Sequence, residues 1–222
     1  MFRANSCPQP RFNHGLFAKL SWMKLLETLL PSNCVGCKRL GNPICASCLN
    51  ALRPNPRAVQ RGILGWSAVD YGTVATNAIN AYKEHGRTAL LGAFCELLDE
   101  IELPANVNLV GLPSSPIATR RRGFVPAELL ADRLARRRGV RSSHALIFAK
   151  KIADQSGLSR AEREANLIGS MLSKQVVGPV WLVDDVVTTG ASMREAVRAM
   201  DVAGNQVTGF VTIAETILKV GS

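Results

Sequence analysis

Val180-Trp181-Leu182-Val183-Asp184-Asp185-Val186-Val187-Thr188-Thr189-Gly190-Ala191-Ser192 is the stretch on which the fold turns. Val180 to Val183 carry no polar side chain, which suits a strand covered on both faces, as in a parallel sheet. Asp184 and Asp185 follow at the strand's end, where open α/β sheets place their ligands. Thr188 to Ser192 then lead into a helix, with apolar Met193, Ala196, Val197 and Met200 on one face. Small and hydroxylated residues at a helix start leave N–H groups and hydroxyls converging on one spot, a seat for a phosphate. Gly190 lets the backbone come close to such a ligand. Adjacent carboxylates accept hydrogen bonds from two neighbouring hydroxyls, or hold Mg²⁺ through water. A ribose 5-phosphate satisfies both halves. The spacing is not that of a P-loop.

The chain surrounding this stretch has 222 residues, enough for one α/β domain and a small module. A net charge of +10 favours anionic partners: phosphorylated small molecules, nucleic acid or a membrane surface. No apolar run approaches the roughly 18 residues of a membrane span. The region from Leu16 to Leu30 is interrupted by Lys19, Lys24 and Glu27 and is no secretion signal, so the cytoplasm is the expected compartment.

Upstream, Cys34-Val35-Gly36-Cys37 and Cys45-Ala46-Ser47-Cys48 are two C-x-x-C knuckles separated by seven residues. Four thiolates so spaced close a tetrahedron around Zn²⁺. No His or carboxylate between them suggests an open coordination position, so the expected zinc is structural. Two redox dithiols are the competing reading, but no βαβ unit surrounds them. Cys95, in an apolar helical stretch, reads as a buried small hydrophobe. Residues 1–22 read as an extension, either a disordered tail or sequence upstream of a start at Met23. The expected division is 1–22 extension, 23–57 zinc-binding module and 58–222 main domain, with residues 49–65 connecting the last two.

Strands are expected near 66–71, 108–113, 144–150 and 206–214. Helices are expected over 74–85, 88–101 and 126–138, the first two parted by Gly86 and the third stopped by Gly139. Lys83 and Arg87 are weak phosphate candidates, since a lone basic residue is more often solvated. Residues 119–141 hold eight arginines against Glu128 and Asp132, six of the ten excess positive charges. Arg120, Arg121 and Arg122, read as a loop, are the pyrophosphate candidates, together with Ser114 and Ser115. Arg133, Arg136 and Arg137 read as a solvated helix face. Asp154 to Asn166 read either as a mobile lid or as a surface connection; Ser159 and Glu162 within it form a capping box.

Leu182 to Gly190 resembles the phosphoribosyl-pyrophosphate signature of type I phosphoribosyltransferases. Arg122-Gly123-Phe124, Gln155-Ser156-Gly157-Leu158-Ser159-Arg160-Ala161-Glu162-Arg163 and Asn166, with the four cysteines before them, extend the likeness over about residues 23–214 to the ComF family. The resemblance implies a parallel sheet flanked by helices with a hood over the site, preceded by a zinc-ribbon-like module. It implies Asp184 and Asp185 on the ribose hydroxyls of phosphoribosyl pyrophosphate, and Val187, Thr188, Thr189, Gly190, Ala191 and Ser192 around its 5-phosphate. Mg²⁺ would accompany the ligand, and the phosphoribosyl group would pass to an unknown acceptor. The alternative is a non-catalytic protein of DNA uptake or processing, the role in competence to which some bacterial members are linked, with DNA or a DNA-processing protein as partner. Ser115 and Val125 depart from the family's common His and Asn, which weakens the expected pyrophosphate loop.

Overall fold

The computed structural model describes residues 32–149 and 167–216. The expected short helix at 23–30, the 154–166 segment and Lys150 lie outside the described residues. In chain order the elements are β1 (Ser32–Asn33), β2 (Leu40–Gly41), α1 (Ala46–Leu52), β3 (Arg57–Gln60), β4 (Leu64–Asp70), α2 (Thr73–His85), α3 (Leu91–Leu98), β5 (Asn108–Gly111), α4 (Pro116–Arg122), α5 (Pro126–Arg138), β6 (Arg141–Ser142), β7 (Leu146–Phe148), β8 (Met171–Ser173), β9 (Val180–Val187), α6 (Ala191–Val202) and β10 (Val207–Glu215).

Six strands form the central sheet in the order β3-β4-β10-β9-β5-β6. All neighbours run parallel except β3, which is antiparallel to β4 at one edge. The protein is therefore α/β, with a mostly parallel sheet flanked by helices and a four-cysteine module at the N-terminal side. The apolar run of β9 explains its central place. Its side chains alternate between two faces, and both faces are dry. Trp181 and Val183 pack with Leu109, Val211 and Ile213 in the core that also takes in Ile79 and Tyr82 of α2, Phe94 of α3 and Leu130 and Leu134 of α5. Val180 and Leu182 pack with Val110 and Phe210 against Met193, Ala196 and Met200 of α6.

Three features differ from the sequence expectation. The supposed connector at 49–65 contains the end of α1 and all of β3, because β3 pairs with β4 through Arg57↔Ser67 to Gln60↔Leu64. The strand expected at 144–150 pairs with β8 in a separate two-stranded sheet, and the central sheet ends instead on the two-residue β6. Arg120–Arg122 stand in a helix, α4, and not in a loop. Ser115 caps it by accepting from the Ala118 N–H at 3.3 Å, with Pro116 in the first turn.

The stops of α2 and α5 were legible, and that of α4 was not. Gly86, Gly123 and Gly139 each take the left-handed conformation after α2, α4 and α5. Gly111 matters for a different reason. A Cβ there would stand 2.5 Å from the Ala127 carbonyl oxygen and 2.4 Å from the Glu128 nitrogen, so β5 meets the first turn of α5 backbone to backbone. Gly92, inside α3, has nothing within 4 Å of such a Cβ. Gly111→Ala is expected to cost about 2–3 kcal/mol through overpacking, whereas Gly92→Ala should gain about 0.5–1 kcal/mol. Urea unfolding of both variants measures the contrast.

Candidate functional site

β9 carries its two carboxylates to the sheet's C-terminal edge, and the period of two sends them to opposite faces. Asp185 follows Trp181 and Val183 toward α2. It is 2% exposed, and its Oδ1 accepts from Lys83 Nζ at 3.0 Å. Asp184 follows Leu182 toward the α6 side and is half-buried. Burial, and then the charge of Asp185, push the Asp184 carboxyl up to about 7, against a smaller downward pull from Lys83.

Lys83 is held in place by its neighbour. Tyr82 is fully buried, donates its hydroxyl to the Pro126 carbonyl at 2.7 Å, and meets Phe94 edge-on with ring centroids 5.5 Å apart. Phe124 lies 5.7 Å from the same ring. These contacts set the rotation of α2, so Lys83 reaches Asp185. Burial alone would lower the Lys83 pKa, but the charges of Asp185 and Asp184 outweigh it and raise it.

A cavity of about 560 Å³ opens over this strand end. Asp184 and Asp185 line it from the end of β9 and Ser192 from the start of α6. Ser114, Ser115, Arg121 and Arg122 come from the β5 end and α4, Lys83 from α2, and Phe148 and Leu167 supply an apolar wall. Eight of the residues selected from the sequence, Lys83 among them, are thus brought together. Arg120, Val187, Thr188, Thr189, Gly190 and Ala191 are not in the lining. Val187 is 3% exposed and packed in the core, so its side chain offers a ligand nothing. Thr189 Oγ1 accepts from the Ala191 N–H at 3.3 Å. Gly190 sits at φ +79, and a Cβ on it would lie 2.6 Å from Cβ of Arg61.

Sequence reasoning missed three participants. Arg61 crosses from beyond β3, donates Nε to the Thr188 carbonyl at 3.0 Å and pairs with Glu215. Glu215 ends β10 beside Val187 and also accepts from Arg57 Nε at 3.3 Å. Glu84 bonds both Arg121 and Arg122. No spacing signal could have found Arg61 and Glu215, which are 154 residues apart. Lys83 was underweighted for want of a visible partner. Arg87 ties the cysteine module to the body, donating to the Asn33 carbonyl at 2.7 Å.

The sulfur atoms of Cys34, Cys37, Cys45 and Cys48 all lie within 4.8 Å of one another, and those of Cys37 and Cys45 are 3.7 Å apart. A tetrahedron with Zn–S arms of about 2.3 Å has edges of about 3.8 Å, so the cluster is compatible with a structural zinc. Burial pushes the Cys34 thiol up, but N–H groups of Cys45, Cys37 and Gly36 bring it down to about 6. Cys48, hydrogen-bonded to Cys45 and desolvated, rises to about 12. Four sulfurs this close cannot all be thiolates without a cation among them. Gly36 makes room: a Cβ there would meet the Cys48 sulfur at 2.6 Å. Cys95 is buried in the core, as expected.

No family model matches this chain, and no curated protein does. Among solved structures it is similar to adenine phosphoribosyltransferase from Saccharomyces cerevisiae, complexed with an imino-altritol bisphosphate and adenine. That likeness has 18% identity and a TM-score of 0.33, covering 77% of this chain and 90% of that one. A second adenine phosphoribosyltransferase matches at 17% identity and a TM-score of 0.31, covering 76% and 89%. A protein from Thermus thermophilus matches at 18% and 0.27, covering 61% and 86%. The overlap is loose, and the site rests on the side chains described above. Among the described residues, no helix is long and apolar enough to cross a membrane.

Lys83→Met leaves Asp185 buried without its cation. The expected loss is about 2–3 kcal/mol, below the value for a fully buried pair because Lys83 is partly exposed. Lys83→Arg should retain most of the stability. Thermal and urea unfolding compare the two.

Proposed function

We propose that the cavity binds phosphoribosyl pyrophosphate together with Mg²⁺ and that the protein transfers the phosphoribosyl group to an acceptor, as in the ComF-like reading of the sequence. The observation that carries this is the joint lining of one cavity by Asp184, Asp185 and Ser192 together with Lys83, Arg121 and Arg122. A diol with a phosphate beside it fits the first group, and a diphosphate fits the second. Ser192 at the start of α6 would hold the 5-phosphate, the Thr188–Ala191 turn before it standing outside the cavity lining.

In the transfer, a bond forms between the acceptor nucleophile and ribose C1 while the C1–O bond to pyrophosphate breaks. The departing pyrophosphate keeps the electron pair. Asp184 and Asp185 would hold the ribose hydroxyls as positive charge grows on the ring, and the arginines would take the charge of the leaving group. The oxygen donors of Asp184 and Asp185 fit a hard cation held through water. Asp184 is the freer of the two, since Lys83 already neutralises Asp185. When bound, Mg²⁺ supplies further charge neutralisation at the pyrophosphate.

The nucleic-acid reading loses half of its arginines to internal partners. Arg121 and Arg122 bond Glu84, and Arg137 and Arg138 bond Asp99. Arg138 also donates to the carbonyls of Leu98, Asp99 and Ile101, closing the end of α3. Arg120, Arg133, Arg136 and Arg141 remain exposed and would be the surface for DNA.

Calorimetric titration of phosphoribosyl pyrophosphate with Mg²⁺ is expected to show binding to the wild type and none to Asp184→Ala/Asp185→Ala. No heat from folded wild type overturns the proposal. With burial and Asp185 pushing the Asp184 carboxyl up to about 7, affinity should rise more steeply between pH 6 and pH 8 in the wild type than in Asp184→Asn, where only the ligand's phosphates, with a second pKa of about 6, still titrate. Stability has the opposite sign. The folded pKa lies above the ordinary value of 3.8, so this group's contribution is full below that pH and is lost as pH rises through about 7.

For the cysteine cluster, protein purified without added metal is expected to carry one zinc per chain. Its removal by a chelator should lower the melting temperature, because metal binding to such a module is folding free energy. Four free thiols and no zinc in folded protein would overturn the assignment.

A further inference from the structure

The two-stranded sheet of β7 and β8 is separate from the central sheet, yet its neighbourhood supplies the apolar wall of the cavity. Phe148 ends β7, and Leu167 precedes β8. A two-stranded sheet is marginal on its own, so another element must hold it. Its buried side chains Leu146 and Met171 pack with Met193, Ala196 and Met200 of α6. Apolar packing sets how deep the sheet lies, but it is non-directional and does not fix where along the helix it sits.

Directional bonds do that. Met171 faces Phe148 across the strand pair, and both of its own backbone groups are taken by α6. Glu195 Oε1 accepts from the Met171 N–H at 2.9 Å, and Arg198 Nη2 donates to the Met171 carbonyl at 2.9 Å. The two side chains, three residues apart on the helix, also bond each other at 2.7 Å through Arg198 Nε and Nη2. Together they give the edge of β8 what a third strand would give it. Glu195 is only 4% exposed, a place where a carboxylate is rare unless paired. Burial alone would raise its pKa, but Arg198 and the N–H groups of Met171 and Gly169 outweigh that and hold it below its ordinary value. Beyond the other end of β8, Asn205 donates to the Lys174 carbonyl at 3.0 Å and accepts from the Val176 N–H at 2.7 Å. The helix that holds β8 in this way begins at Ala191, and its next residue, Ser192, lines the cavity.

We propose that Glu195, with Arg198, is the positioning residue for the apolar wall, holding Phe148 and Leu167 where they keep water from ribose C1 until an acceptor arrives. This rests on the ligand reading given above and deepens it. Ser192 and Glu195 are also three residues apart on α6. The group that would hold the 5-phosphate and the group that holds the wall therefore keep a fixed separation on one rigid element. Without the clamp, water replaces the acceptor. A bond forms from the water oxygen to C1, the C1–O bond to pyrophosphate breaks, pyrophosphate keeps the electron pair, and the spare proton passes to solvent. Excluding water from the site suppresses this side reaction.

The test uses the full chain and two readouts. One is amide hydrogen exchange without ligand. The other is phosphoribosyl pyrophosphate with Mg²⁺ and no acceptor, followed as binding heat and as pyrophosphate release. Glu195→Ala should lose exchange protection over Met171–Ser173 while β9 and β10 keep theirs. It should bind phosphoribosyl pyrophosphate as wild type does and release pyrophosphate to water severalfold faster. General damage to the fold would lower binding and rate together, so this split reports the wall. Glu195→Gln keeps an oxygen for the Met171 N–H and should recover part of both effects. Should Glu195→Ala not fold, Arg198→Met carries the same two expectations in milder form. Unchanged exchange over β8 in folded Glu195→Ala overturns the proposal whatever the ligand. Lost protection with release as slow as in wild type, and phosphoribosyl pyrophosphate still bound, overturns it while sparing the ligand reading. Wild type that binds no phosphoribosyl pyrophosphate sinks the ligand reading and this inference with it.

Discussion

Two neighbouring carboxylates at the end of a buried strand leave that strand on opposite faces, and the protein treats them differently. Asp185 turns into the layer beneath α2 and is held by Lys83. Asp184 turns toward α6, has no direct ion pair among the described residues, and ionises only near neutrality. Charge repulsion between the two is relieved by pairing one and leaving the other free to exchange its proton. The Lys83–Asp185 contact in turn depends on Tyr82, whose ring and hydroxyl lock α2 against Phe94, Phe124 and the Pro126 carbonyl. Disturbing that aromatic group would alter the charge at the cavity floor without touching a ligand.

The same economy governs the rest of the charge. A protein with ten excess positive charges offers few of them freely near the cavity. Arg57 and Arg61 converge on Glu215 at the end of β10, and Arg61 also covers Gly190 and grips the Thr188 carbonyl. The loop leading into α6 is therefore braced from the antiparallel edge of the sheet. That gives β3 a purpose beyond adding a strand: it delivers two arginines to the strand ends where the carboxylates emerge.

The cysteine module is joined to the body and does not hang from it. Val35, between the first two cysteines, is 3% exposed and belongs to the same core as α2 and α3. Ile44, Leu49 and Leu52 pack against that core, and Arg87 reaches back to the Asn33 carbonyl. A metal that orders the knuckles would thus also order the wall on which α2 rests, and α2 carries Lys83 and Glu84.

The order of residues was enough to read the apolar run of β9, its acidic pair, the small hydroxylated turn, the glycine stops of α2 and α5, and the paired cysteine knuckles. Each is a local pattern whose physics acts within a few residues: strand alternation, helix capping and the geometry of a C-x-x-C turn. The joining of those patterns was decided by tertiary structure. Lys83 meets Asp185 across 102 residues, Glu84 meets Arg122 across 38, and Arg61 meets Glu215 across 154. Nothing in local spacing encodes such pairs. They exist because a twisted parallel sheet gathers its strand ends along one edge, where groups from every part of the chain must neutralise one another.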